Sequence, residues 1–113
     1  MLDKREHPRF SVDLPVEYYK MGSIVKYNGR AMNASQGGLL LHFSEPLQIG
    51  QYLRLKLILS SGFRSNAIET IAEVTWINIQ LGEGEKHYRS GVRFINISPE
   101  DVTKLKNFSA NLS

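Results

Sequence analysis

Hydrophobic and polar residues alternate along most of this chain with the period of β-strands. Val12, Leu14, Val16 and Tyr18 alternate with more polar neighbours, as a half-buried strand does. Leu39, Leu41 and Phe43 alternate with Leu40, His42 and Ser44 until Glu45-Pro46 ends the run. Leu53, Leu55, Leu57 and Leu59 then alternate with Arg54, Lys56 and Ile58 up to Ser60-Ser61-Gly62. Ile68 to Ile79 is a long β-rich segment carrying Val74, Trp76 and Ile77, with Gly82-Glu83-Gly84 as the following turn. Tyr88 to Ile97 completes the series, placing Val92 and Phe94 on one face and Arg93 on the other. Between Lys20 and Asn33 two hairpin turns stay open, Gly22-Ser23 or Asn28-Gly29. A first strand ending near Lys20 fits the alternation better.

The period changes only near the C-terminal end. Ser98 as N-cap, Pro99 at the first helical position and Asp101 at the acidic position of a capping box predict a helix over 98–110. Val102, Leu105 and Phe108 lie along one side of it, with Leu112 beyond, and that face suits a lid better than a free docking surface. Six strands with no helix between them predict a mainly all-β fold, a six-stranded antiparallel β-barrel that is closed or nearly so, because closure removes exposed edges. The expected organisation is one domain over 1–113: an N-terminal arm at 1–11, a barrel at 12–97 and the helix. A barrel this small is filled by its own side chains, so a ligand must sit outside or at the rim.

Composition narrows the chemistry. The 113 residues suit one modest core. Cysteine is absent, which removes disulfides, thiolate metal sites and cysteine nucleophiles. No run approaches ~18 apolar residues, and no apolar region follows the charged opening, so a soluble, cytoplasmic protein without a transmembrane segment is expected. Fourteen Lys and Arg against eleven Asp and Glu give a formal net charge of +3, a mild bias toward anionic partners. His7, His42 and His87 fall in separate segments without a carboxylate at ligand spacing and read as surface or turn residues; no metal or cofactor is expected. Ser35 has no evident His-Asp partners, so catalysis is not expected either.

Two short clusters remain. Lys4-Arg5-Glu6-His7-Pro8-Arg9 gathers basic residues that are elsewhere scattered, and on composition alone it reads as a solvated arm. Pro8 disfavours helix at His7, so Arg5 and Arg9 can wrap one ligand from an extended or turning arm. Each guanidinium fork can hold two phosphate oxygens, or the O6 and N7 of guanine, in a way lysine cannot copy. Asn33-Ala34-Ser35-Gln36-Gly37-Gly38 ends a strand. Within a strand Asn33 and Ser35 would point the same way, the amide toward the N1 and N2 hydrogens of a guanine and the hydroxyl toward a phosphate or the turn itself. Gly37 and Gly38 permit positive φ or a close backbone approach. Either cluster alone is commonplace; the second by itself reads as a hairpin loop.

Arg-x-x-x-Arg ahead of a small β-barrel, followed one hairpin later by Asn-x-Ser-x-x-Gly, resembles the PilZ domain family. Gly91-Val92-Arg93-Phe94-Ile95-Asn96-Ile97-Ser98 is similar to that family's last strand leading into its terminal helix. The resemblance runs from about Lys4 to the helix. It implies a bacterial receptor for cyclic di-GMP on a six-stranded barrel with a C-terminal helix, with Arg5 and Arg9 gripping phosphate and a guanine Hoogsteen edge. It also implies that Asn33 and Ser35 read the other side of the base and that Gly38 gives clearance. Asn33 stands where many members carry Asp, which offers one more acceptor. Lys4, Gly37 and Trp76 are secondary candidates. Trp76 suits core or rim packing, and at the rim it could stack on a guanine.

The implied mechanism is a switch in which a dianion bridges a mobile arm to the Asn33 turn, ordering a surface for a protein effector in motility, biofilm, polysaccharide export or transcription. Stable nucleic-acid binding is not expected. Two other readings are a small barrel that binds single-stranded nucleic acid and a ligand-independent scaffold of the same fold.

Overall fold

A computed structural model describes residues 9–61, 64–81 and 86–110. Its order is β1 (Phe10–Lys20), β2 (Tyr27–Ala34), β3 (Gly38–Phe43), β4 (Tyr52–Ser61), β5 (Arg64–Leu81), β6 (Lys86–Asn96) and α1 (Pro99–Ala110). All strand pairs are antiparallel and close into a barrel in the order β1-β2-β3-β6-β5-β4. The first strand does end at Lys20, and the turn follows through Gly22, whose φ of 85° is the left-handed value that favours glycine.

The alternation read from the sequence lines the interior. Leu14, Tyr18, Leu41, Leu53, Leu57, Ala72 and Val74 are fully buried, joined by Val12, Val16, Leu39, Leu55, Ile68 and Val92. Tyr18 stacks on Tyr27 at 5.4 Å and meets Phe43 edge-on at 6.4 Å, and Phe43 stacks on Tyr88 at 5.4 Å. The Tyr18 hydroxyl is buried there without a hydrogen-bond partner. Burial, with help from Glu45 and Tyr27, pushes its pKa up from 10.0 to about 12.

Ser98 caps α1 as expected: its hydroxyl accepts from the Asp101 amide at 3.1 Å and its carbonyl from the Val102 amide at 3.1 Å. Val102 and Leu105 are buried, Phe108 packs at the core's edge, and Leu112 lies outside the described residues. The helix covers a place where pairing stops. β1 pairs with β4 only from Val16↔Leu57 to Lys20↔Leu53, leaving the first half of β1 and the last residues of β4 apart, and α1 packs against β1. A second gap has no such cover among the described residues. β4 accompanies β5 from Arg64 to Glu73, and Val74 exchanges hydrogen bonds with Gly50 and Gln51; beyond it β5 continues to Leu81 beside β6 alone.

Candidate functional site

Two β-bulges decide which side chains reach the outer face. Along β2, Ala31 points inward, so plain alternation would turn Asn33 inward as well. The register between β2 and β3 shifts between Ala31 and Asn33, making Met32 the extra residue; Asn33 is thereby turned outward and Ala34 becomes the buried neighbour. Along β5, Ile68, Thr70, Ala72 and Val74 face inward, and the same rule would bury Trp76. A shift against β6 between Val74 and Trp76 inserts Thr75, leaving Trp76 43% exposed on the outside.

The two re-aimed residues fall in one row across four strands. Asn33 pairs with Leu40, Leu40 with Gly91, and Gly91 with Trp76. Gly91 makes the row possible: a Cβ there would collide with the indole Nε1 and lie 2.7 Å from both Cδ1 and Cε2, so the ring rests on the bare backbone of β6. The Gly91 carbonyl is held from both sides, accepting from the Thr75 hydroxyl at 3.0 Å and the Ser90 hydroxyl at 3.0 Å. A cleft of about 300 Å³ lies along this row, lined by Arg9, Asn33, Leu40, Trp76, Arg89 and Gly91, with Leu39 at its base. Arg9 is exposed just ahead of β1, whose Ser11 pairs with Asn33.

The lining holds two guanidinium groups, an amide, an indole and an aliphatic floor, with no carboxylate among the described residues. That composition suits a planar, anionic ligand. Other clefts are larger: one of about 460 Å³ is lined by Arg30, His42 and His87 beside Phe43 and Tyr88 but by none of the candidate ligand-binding residues, and others carry carboxylates. One of about 680 Å³ sets Glu17, Glu69 and Asp101 against Lys56 alone, and one of about 420 Å³ sets Arg54 and Lys56 against Glu69 on a partly apolar floor of Tyr19, Ile24 and Ile71. On the outer strands Arg30 pairs with Asp13 at 2.7 Å and Arg93 with its cross-strand neighbour Glu73. The charge of Arg89 is felt by His42, opposite it on β3: burial chiefly, then Arg89 and His87, hold that imidazole's pKa below its ordinary value.

Of the residues singled out from sequence, Arg9, Asn33 and Trp76 are brought together here. Lys4, Arg5 and His7 lie outside the described residues. β2 ends at Ala34, so Ser35 belongs to the turn and strand alternation does not carry it to Asn33's face. It is 6% exposed; its hydroxyl accepts from the Gly37 amide at 3.2 Å, and its own amide donates to the Gly38 carbonyl at 2.8 Å. Neither Gly37 nor Gly38 has positive φ. The Gly37 carbonyl accepts from the Phe94 amide at 2.8 Å, and a Cβ on Gly38 would strike the Val92 carbonyl, so these glycines let the turn lie against β6. Leu40, Arg89 and Gly91 were not singled out for the site. A glycine in the middle of a strand is the usable signal for Gly91; an arginine on a strand's polar face gives none.

Among the described residues no cluster of three or more His, Asp or Glu side chains could hold a metal ion, and no helix is long and apolar enough to cross a membrane.

The family model described as PilZ domain matches residues 3–111. Among solved structures, the inhibitor of motility MotI/DgrA of Bacillus subtilis superposes with a TM-score of 0.76 at 22% identity, over 97% of this chain and 51% of that one. The PilZ domain of Escherichia coli YcgR, solved with c-di-GMP, gives 0.75 at 18%, over 97% of this chain and 92% of that one. MrkH of K. pneumonia in its apo state gives 0.74 at 18%, over 99% and 51%. The chain thus spans about half the length of MotI/DgrA and MrkH. No curated protein sequence matches it.

Proposed function

The chain belongs to the PilZ domain family, and from that premise we propose that it is a cyclic di-GMP receptor whose ligand lies along the outer row from Asn33 to Trp76. The observation that carries this reading is the convergence of Arg9, Asn33, Trp76 and Arg89 on one cleft whose lining, among the described residues, holds no carboxylate. Arg9 and Arg5 supply forks for phosphate oxygens and for the O6 and N7 edge of guanine. The Asn33 carboxamide oxygen accepts from the guanine N1 or N2 hydrogens, while Leu40 and the indole give the base an apolar floor and wall. Ser35, Gly37 and Gly38 contribute by fixing the turn that follows Asn33, and Lys4 adds charge beside Arg5. In this reading the basic arm is the part of the chain ahead of β1, because Phe10 and Ser11 already pair with Ala34 and Asn33.

Binding draws the arginine arm onto the barrel through the dianion and offers the ordered arm to a protein effector. Motility is one output consistent with a relative named for inhibiting it. The protein works by presenting a surface, without chemistry on the ligand.

Calorimetric titration with cyclic di-GMP, cyclic di-AMP and GTP tests the proposal. Selective binding of cyclic di-GMP that weakens as salt rises is expected. Arg9→Ala removes the measurable heat, and Asn33→Ala narrows the preference for guanine over adenine. A wild-type protein giving no heat with cyclic di-GMP at high micromolar ligand overturns the reading.

A further inference from the structure

Beyond Val74, the side of β5 turned away from β6 has no strand paired to it among the described residues. The last bonds on that side are Gly50 to Val74 and Val74 to Gln51; from Trp76 to Leu81 every backbone bond among the described residues goes to β6. The barrel's other gap, between β1 and β4, is packed by α1. Exposed edges of soluble proteins are ordinarily blunted by lysine, proline or an inward charge. Thr75-Trp76-Ile77-Asn78-Ile79-Gln80-Leu81 has none of these: seven consecutive positions carry neither charge nor proline. Ile79 is 57% exposed on it.

We propose that this edge, Trp76 to Leu81, pairs antiparallel with the same edge of a second copy, forming a weak two-fold dimer through a continuous sheet. The occupant follows from the chemistry of the edge. A strand paired antiparallel with its own copy sets each residue against its mirror position about the centre, so a charge at the centre meets itself and one beside it lies near its own copy; this segment has none to repel. Centred on Asn78, the pairing puts the half-buried Ile77 of one copy against the exposed Ile79 of the other on one face, covering Ile79 of each copy. Asn78 meets its mate on the opposite face. Val74 directs its amide and carbonyl toward the β4 side and the bulge adds one residue, so the groups turned outward beyond it are those of Ile77 and Ile79, which is the phase this register needs. A slip of one residue would set isoleucine against the polar face. A seam of six residues is small, so the dimer exchanges readily with monomer.

Sedimentation equilibrium of the full chain without ligand, from low micromolar to millimolar concentration, is the test. A reversible monomer–dimer equilibrium is expected. Ile79→Lys, at an exposed site that leaves the thermal melt intact, should weaken it about tenfold or more, since both copies lose an apolar contact and gain a charge at the seam. Ile24→Lys, at a 93% exposed hairpin tip elsewhere, should leave it unchanged. Amide exchange at Ile77 and Ile79 should slow with concentration in the wild type and not in Ile79→Lys. A monomer at all concentrations, with exchange at these amides independent of concentration, overturns the proposal and leaves the edge to a strand of another protein. Equal weakening by the two lysine variants overturns it as well.

Discussion

The inside of the barrel, lined by all six strands, and the row across the outer face of four of them are built by opposite means. Inside, alternation along the strands delivers mostly leucines, valines and isoleucines whose atoms fill the space, and each position is replaceable by something of similar volume. Outside, the row depends on interruptions: a bulge at Met32 turns Asn33 out, a bulge at Thr75 turns Trp76 out, and the missing Cβ of Gly91 makes the seat for the indole. The core therefore carries stability with little information about ligand, and the row the reverse. Changes inside should move the folding equilibrium, and changes in the row should move affinity.

The sharpest break is Leu57→Ala. Leu57 is fully buried, so removing most of its side chain should cost about 2–5 kcal/mol in denaturant unfolding. Any cyclic di-GMP binding by the fraction that remains folded should keep its affinity. A smaller effect of opposite sign is expected from Tyr18→Phe, which removes a buried hydroxyl with no partner and should be neutral or stabilising by about 1 kcal/mol near neutral pH. The tyrosine also leaves a signature in alkali. Above its ordinary pKa of 10.0 the unfolded chain releases the proton while the folded protein holds it to about 12, so stability falls as pH rises through that window. The phenylalanine variant should lose this part of the slope in melts recorded between pH 10 and 12.

Gly91→Ala should move stability least, within about 0.5 kcal/mol, because the half-exposed indole can swing away from the new methyl group. Its effect belongs to the row. Cyclic di-GMP affinity should drop about tenfold as the stacking wall is lost, and quenching of Trp76 fluorescence on titration should shrink with it. A Gly91→Ala protein that melts far below the wild type would break the division between face and core.

What the sequence made legible follows the same line. Period-two alternation and turn residues located six strands, the end of β1 at Lys20 and the helix that Ser98 and Pro99 begin, because each rests on interactions within a few residues. A bulge is a change of phase with no composition of its own. Alternation alone would bury Asn33 and Trp76, and it would give Ser35 the same face as Asn33 although the turn takes that hydroxyl for itself. Arg89 and Leu40 join the site through pairing between distant strands, which no local pattern encodes. Two extra features of β5, its start at Arg64 and its run past the barrel to Leu81, were hidden because β-propensity does not say how many neighbours a strand will have.

The row crosses the seam between β3 and β6, where His42 pairs with Arg89 and Leu40 with Gly91. Every other junction in the row or beside it is a hairpin between consecutive strands, formed by closing a short loop; this one joins segments separated by all of β4 and β5. Contacts so far apart in the chain pay the larger closure entropy and form late in folding. A partly assembled chain can hold Asn33 on one hairpin and Trp76 on another without having a cleft between them. Ligand bound across that seam would draw its entire affinity from the finished barrel and return it as resistance to global unfolding.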